Sequence, residues 1–135
     1  MGHYKATKVL KNGTAQTVGA SETDQVISGV FPFTEGGATR AVRVDIHVSA
    51  VTAAAGISFQ LQHSVDDVAA NFGNPDTTQC KVASINGTGW WSIILQADNS
   101  SDSAVMPLLP MGRVVCSTGA GDSVTVDDIR VSQAD

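Results

Sequence analysis

Three histidines, two cysteines and thirteen acids are the side chains with which this 135-residue chain could do chemistry. His63 lies close to Asp66 and Asp67. Such a pair could orient an imidazole as a general base. No Gly-x-Ser-x-Gly or comparable nucleophile signature accompanies it. His63 also continues the apolar parity of Ile57, Phe59 and Leu61, which places it at a strand end near the core. His47 falls on the polar face of its own strand, and His3 lies in the N-terminal segment. Asp66-Asp67 and Asp127-Asp128 are the paired acids, the residue type that glycosidases and calcium sites need. Neighbours on a strand point to opposite faces, so neither pair converges unless a bulge re-aims one member. The alternating acids and glycine of a calcium loop are missing. Cys80 and Cys116 have no second Cys or His nearby, hence no zinc spacing. Two buried reduced thiols are expected, with a disulfide as the alternative. Gly119-Ala120-Gly121 lacks the strand-to-helix setting and the lysine of a phosphate cradle. The expectation is a chain with no catalytic residue, no metal site and no cofactor.

Trp90-Trp91 stands out in a chain with only 5% aromatic residues. Trp91 shares parity with Ile93 and Leu95 and is expected in the core, which turns Trp90 the other way. A position under a loop, in a subunit interface or in a sugar-binding platform would each suit it, and interfaces are enriched in Trp. Phe31 and Phe33 raise the same question around Pro32. Phe31, Phe33 and Trp90 are the candidate interface aromatics.

These side chains must be held by strands. Between Arg40 and Val51, Val42, Val44, Ile46 and Val48 alternate with Arg43, Asp45, His47 and Ser49, the period of a half-buried strand. After Ala53-Ala54-Ala55-Gly56 the pattern returns as Ile57, Phe59 and Leu61, which suggests a hairpin. Val124 and Val126 share one parity and Ile129 and Val131 the other, and a bulge at Asp127-Asp128 would produce that slip. Further strands are read at 25–33, 78–85, 104–109 and 113–117. A strand at 89–96 is apolar on both sides and is expected to be covered on both faces. A short helical turn is expected at 65–71. Glu occurs only at positions 22 and 35, while Gly numbers 13, a balance that favours turns and strands over helices. Asn12-Gly13-Thr14, Asn86-Gly87-Thr88 and Asn99-Ser100-Ser101 match the glycosylation sequon and read as turns. The whole implies an all-β chain: an antiparallel β-sandwich, a jelly roll of about eight strands. Residues 21–135 are expected to form it, with residues 1–20 as an extended basic arm.

The formal net charge is −5, yet Lys5, Lys8 and Lys11 lie together in the first eleven residues with no acid among them. An acidic body argues against nucleic acid as a partner, because affinity there comes from neutralising phosphates. No run approaches the roughly 20 apolar residues that cross a bilayer. No signal peptide is read at the N-terminus, so cytoplasmic synthesis is expected.

The segment Ile57-Ser58-Phe59-Gln60-Leu61-Gln62-His63-Ser64-Val65-Asp66-Asp67, with the preceding strand Arg43-Val44-Asp45-Ile46-His47-Val48, resembles small β-sandwich virion proteins of tailed bacteriophages. The resemblance covers about a quarter of the chain. In those proteins an aromatic often follows the Asp; here Phe72 comes later. The resemblance implies a head decoration, or cement, protein made in the host cytoplasm. Such a protein sits on the capsid surface and forms homotrimers bound to the major capsid protein. Tail and neck components share the architecture. On this reading the basic segment, Tyr4, Lys5, Lys8 and Lys11, contacts acidic capsid surface or a neighbouring subunit. A carbohydrate-binding module, with Trp90 stacked on sugar, is the alternative from another class. A small β-sandwich hydrolase is a third, for which no converging residue set can be assembled.

Overall fold

The computed structural model describes residues 6–33, 41–75, 78–96 and 110–134. Among these there are ten strands and no α-helix: β1 (Thr7–Lys8), β2 (Gln16–Val18), β3 (Gln25–Val26), β4 (Phe31–Pro32), β5 (Ala41–Thr52), β6 (Ser58–Ser64), β7 (Lys81–Val82), β8 (Gly89–Gln96), β9 (Met111–Ser117) and β10 (Ser123–Ala134). In the first sheet β10 lies between β5 and the pair β1 and β2, and β8 follows β5. In the second, β9 lies between β6 and the pair β3 and β4, and β7 follows β6. All pairs are antiparallel. If β1 and β2 are counted as one rib and β3 and β4 as another, eight ribs run 1-8-3-6 in one sheet and 2-7-4-5 in the other. That order is the jelly roll expected from the sequence.

Alternation decides which side chains meet between the sheets. Val42, Val44, Ile46 and Val48 of β5 are buried against Phe59 and Leu61 of β6, Ile93 and Leu95 of β8, and Val124, Val126, Ile129 and Val131 of β10. Phe59 is fully buried, which contributes about 2–3 kcal/mol through the apolar area withdrawn from water. The parity slip in β10 is a bulge: Val126 faces Val48 while Asp128 faces His47, leaving Asp127 as the extra residue. A second irregularity leaves Ser49 extra on β5, between partners Ala50 and Val48.

β5 and β6 are not a hairpin. They belong to different sheets, and the connection at 53–57 crosses from one to the other. The period-two pattern is the same in both arrangements, since each strand needs only one apolar face. What holds the crossing is Asp122, 2% exposed. Its Oδ1 accepts the backbone N–H of Ala54 (2.5 Å) and Ala55 (2.9 Å). Its Oδ2 accepts those of Gly56 (2.9 Å) and Gly119 (2.7 Å). One carboxylate thereby ties the β5–β6 crossing to the β9–β10 turn. The loops touch closely there: a Cβ added at Gly119 would lie 2.6 Å from Ala55 Cβ.

The N-terminal segment also differs from expectation. From Thr7 to Val18 it is not an arm outside the sandwich but its edge. Thr7 and Lys8 pair with Val131 and Arg130, and Gln16 to Val18 pair with Val126 to Val124. Leu10 and Val18 are buried in the core, and Leu10 bridges to Ser28 of the second sheet. Residues 1–5, with Tyr4 and Lys5, lie outside the described residues, as does the strand expected at 104–109. The strand read at 25–33 is two short ladders: Ile27 N–H still donates to Val114 O of β9, but Lys11 N–H donates to Ile27 O and Gly29 N–H to Val9 O, so the ladder on β9 is interrupted until Phe31. Within 78–85 only Lys81–Val82 is strand, after a 3-10 turn at Thr78–Cys80. The helical turn expected at 65–71 is a 3-10 turn at Ala69–Asn71.

Cys80 and Cys116 are both free and fully buried. Burial pushes the Cys80 thiol up to about 11 and, with the charge of Asp122 adding to it, the Cys116 thiol up to about 12. The thiolate is the reactive form. At pH 8 a disulfide reagent is therefore expected to label neither cysteine until denaturant opens the sandwich, and then both. Rapid labelling of either in the native protein would contradict this burial.

Candidate functional site

The outward side chains of the first sheet form a grid. The register places Asp128, His47 and Trp90 in one row, Arg130, Asp45 and Ser92 in the next, and Ser132, Arg43 and Ile94 in a third. Lys8 of β1 extends the middle row beside Arg130. The strands impose this order: inward positions take the core residues, so every alternate residue of β5, β8 and β10 must face out.

Arg43 Nε donates to Asp45 Oδ1 at 2.9 Å, and Ser92 Oγ donates to the same oxygen at 2.5 Å. Arg130 Nε donates to Asp128 at 3.2 Å. With the Arg43 side chain 55% exposed, such pairs add less than about 1 kcal/mol to stability. Their effect is to fix the guanidinium groups in place. The bulge re-aims Asp127 so that its Oδ1 lies 2.5 Å from His47 Nδ1. The His47 ring in turn packs edge-on to Trp90, with centroids 4.9 Å apart. Trp90 and Ile94 remain 54% and 47% exposed. β8 is thus covered on one face only, contrary to the expectation from its doubly apolar sequence. An open groove of about 860 Å³ runs over this face, lined by Ala6, Ala41, Arg43, Asp45, Trp90, Ile94, Arg130 and Ser132.

The other candidate residues separate. Phe31 and Phe33 are 5% and 7% exposed and meet edge to face at 5.7 Å. They are core residues, not interface aromatics, and they close over Gly112, where an added Cβ would lie 2.6 Å from Phe33 and 2.7 Å from Phe31. Lys8 and Lys11 are exposed, Lys11 in the 3-10 turn Lys11–Gly13. His63 and Asp66 do not form the pair their spacing suggested. Asp66 organises its own loop, with Asn71 Nδ2 donating to both of its carboxylate oxygens and the Val68 N–H donating to Oδ1. These bonds, the Asn71 contact first, hold its carboxyl below the usual range. His63 is lowered by burial. On the outer face of the second sheet, Arg113 lies over the Phe72 ring at 4.4 Å and donates to Gln62 Oε1.

The His47–Asp127 pair joins positions 80 apart in sequence. The one signal for it in the sequence is the phase slip at Asp127. Asp122 has no such signal beyond its place in a glycine-rich turn. Among the described residues no group of three or more His, Cys, Asp or Glu side chains could hold a metal ion. Chemically, the grid offers an indole and a branched aliphatic beside oriented guanidinium groups, the composition of a protein contact surface. The sequence matches no protein-family model and no curated protein.

Proposed function

We propose that this chain is a non-enzymatic structural protein of a phage virion, a head decoration protein that binds the assembled shell of major capsid protein and stabilises it. The supporting observation is the outer face of the first sheet, where Trp90 and Ile94 stand exposed beside Arg43 and Arg130 on a rigid jelly roll. A cement protein needs no reaction, only a stable body, a surface for other subunits and an attachment to the shell. Binding the assembled shell but not dispersed subunits stabilises the shell by mass action. Lys8, beside Arg130 on the same face, and the nearby Lys11 offer cations to an acidic shell surface.

On this reading the protein co-sediments with head shells of its phage, in a trimeric arrangement, and not with dispersed capsid subunits. The double substitution Lys8→Glu/Lys11→Glu is expected to weaken that binding at least tenfold without moving the thermal melt, since both side chains are exposed. Unchanged shell binding would remove the basic segment from the attachment. Failure of the unaltered protein to bind shells would remove the cement reading itself. The groove favours a second reading, glycan binding, because Trp90 lies beside the polar groups of Arg43 and Asp45. Binding to a glycan array by free monomers, lost in Trp90→Ala, would establish it instead.

A further inference from the structure

Four ribs end the two sheets, and three are built against pairing. β1 and β2 are short, are separated by the turn Lys11–Gly13 with Asn12 at φ +55°, and carry Lys8. β3 and β4 are two residues each and end in Pro32. β7 is two residues long and begins with Lys81. Short strands, lysine and proline are the means by which natural sheets keep their edges from pairing with other chains. β8 has none of them. Its eight residues, Gly89-Trp90-Trp91-Ser92-Ile93-Ile94-Leu95-Gln96, include no charge and no proline, and among the described residues no strand pairs with its outer edge. Among the described residues no backbone hydrogen bond reaches that edge either, so it offers backbone donors and acceptors along an apolar strand.

We infer that β8 is a homotypic interface, pairing antiparallel with β8 of a second copy about a two-fold axis through Ser92. The residue order commits the edge to this occupant. A two-fold contact repeats one patch on both subunits, so the patch must complement itself. About Ser92, the outward Trp90 of each copy falls opposite the outward Ile94 of the other, and the inward Trp91 opposite Ile93. An aromatic against a β-branched residue is a favourable cross-strand pair. Both of the large exposed apolar side chains on this face are then covered in one step. Arg43, beside Ile94 in the register, is carried toward the indole of the other copy, where a guanidinium is attracted to the ring face. Among the described residues no like charges are forced together: the nearest carboxylates, Asp45 of each copy, stand three strand spacings apart, roughly 14 Å, beyond a Debye length at physiological salt.

The inference does not rest on shell binding. A three-fold ring of the kind proposed above uses a head-to-tail contact and leaves this two-fold edge free to join copies from neighbouring rings. The test is solution mass by light scattering at roughly 100 µM, a concentration that reveals even a weak homodimer. The unaltered protein is expected at an even number of chains. Ile94→Lys, at an exposed position, is expected to halve that mass with the far-ultraviolet spectrum and melt unchanged, and Trp90→Lys to do the same. Ser92→Cys is expected to cross-link pairs of chains under mild oxidation. A mass of one chain, meaning that the edge is bare or covered by the chain's own segments, overturns the inference. So does an odd number of chains, or a mass that Ile94→Lys leaves unchanged.

Discussion

Replacing Asp122 with asparagine is expected to lower the melting temperature at pH 7 by about 10 °C, through the loss of charge-assisted bonds that join two loops. Asparagine has nearly the same shape, so the substitution isolates the chemistry. Each carboxylate oxygen accepts two backbone N–H groups: those of Ala54 and Ala55 on one side, those of Gly56 and Gly119 on the other. Whichever way the amide is turned, its NH₂ faces two donors. Half of the arrangement becomes repulsive, and the remaining oxygen no longer carries the charge. Alanine at this position removes all four bonds and is expected to cost at least as much. A melt within 2 °C of the unaltered protein, about the scatter expected of a neutral surface change, would show that the loops hold without the carboxylate.

The same group predicts a pH dependence. The N–H donors, Ala55 first and then Ala54, outweigh desolvation and hold the Asp122 carboxyl below the ordinary carboxylate range. In the unfolded chain it returns to about 3.9. A depressed folded value means that the unfolded state binds more protons in acid, so stability rises with pH through this window. The contribution is complete above about pH 5 and is lost as pH falls through the unfolded value toward the folded one. Asp66, also held low, acts with the same sign. The melt of the unaltered protein is thus expected to fall between pH 5 and pH 2, and that of Asp122→Asn to fall less steeply without becoming flat.

Patterning in the sequence carried much of this structure. The alternation of β5 and the bounds of β8 are as read, and the parity slip at Asp127-Asp128 marked a bulge, which the register places at Asp127. Each of these signals is local: a side chain's parity along one strand determines its face. What parity does not encode is which sheet a strand joins. Ile57, Phe59 and Leu61 face the core equally well in a hairpin with β5 or across the sandwich from it. The choice was made by Asp122, some 60 residues further on, through backbone bonds that leave no trace in hydropathy. The outer-face grid was half legible for the same reason. Trp90 was marked by its neighbour Trp91, which lies partly buried against the core. Its partner His47, and the aspartate behind that ring, depend on register between strands distant in sequence. Phe31 and Phe33 share parity with the buried Ile27, and were misplaced because parity gives a common face without saying what covers it.

Deleting residues 1–18 is expected to abolish cooperative folding, although this segment reads as a polar, basic arm. Its period is weak because β1 and β2 are two and three residues long, with a 3-10 turn between them. Among its described residues only Leu10 and Val18 are buried, with Val9 partly buried against the core, and these are too few to show as a pattern. Their positions are nevertheless central. Val18 is fully buried opposite Val124, and Leu10 lies where the first sheet bridges to the second through Ser28. The backbone of Gly29 bonds to Val9, that of Lys11 to Ile27, and that of Val9 to Ile129, so the segment closes one side of the sandwich by itself. Without it β10 becomes an edge of twelve residues, and Ile27 and Val124 lose their cover. Leu10→Ala is the graded form of the same experiment and is expected to cost about 2–3 kcal/mol in denaturant unfolding, as for other buried leucines. If the truncated chain unfolded cooperatively with its stability intact, the segment would be an appendage as its composition suggests. A loss of the transition places the first rib of the jelly roll within residues 7–18, and any attachment made by the lysines there then issues from the folded body.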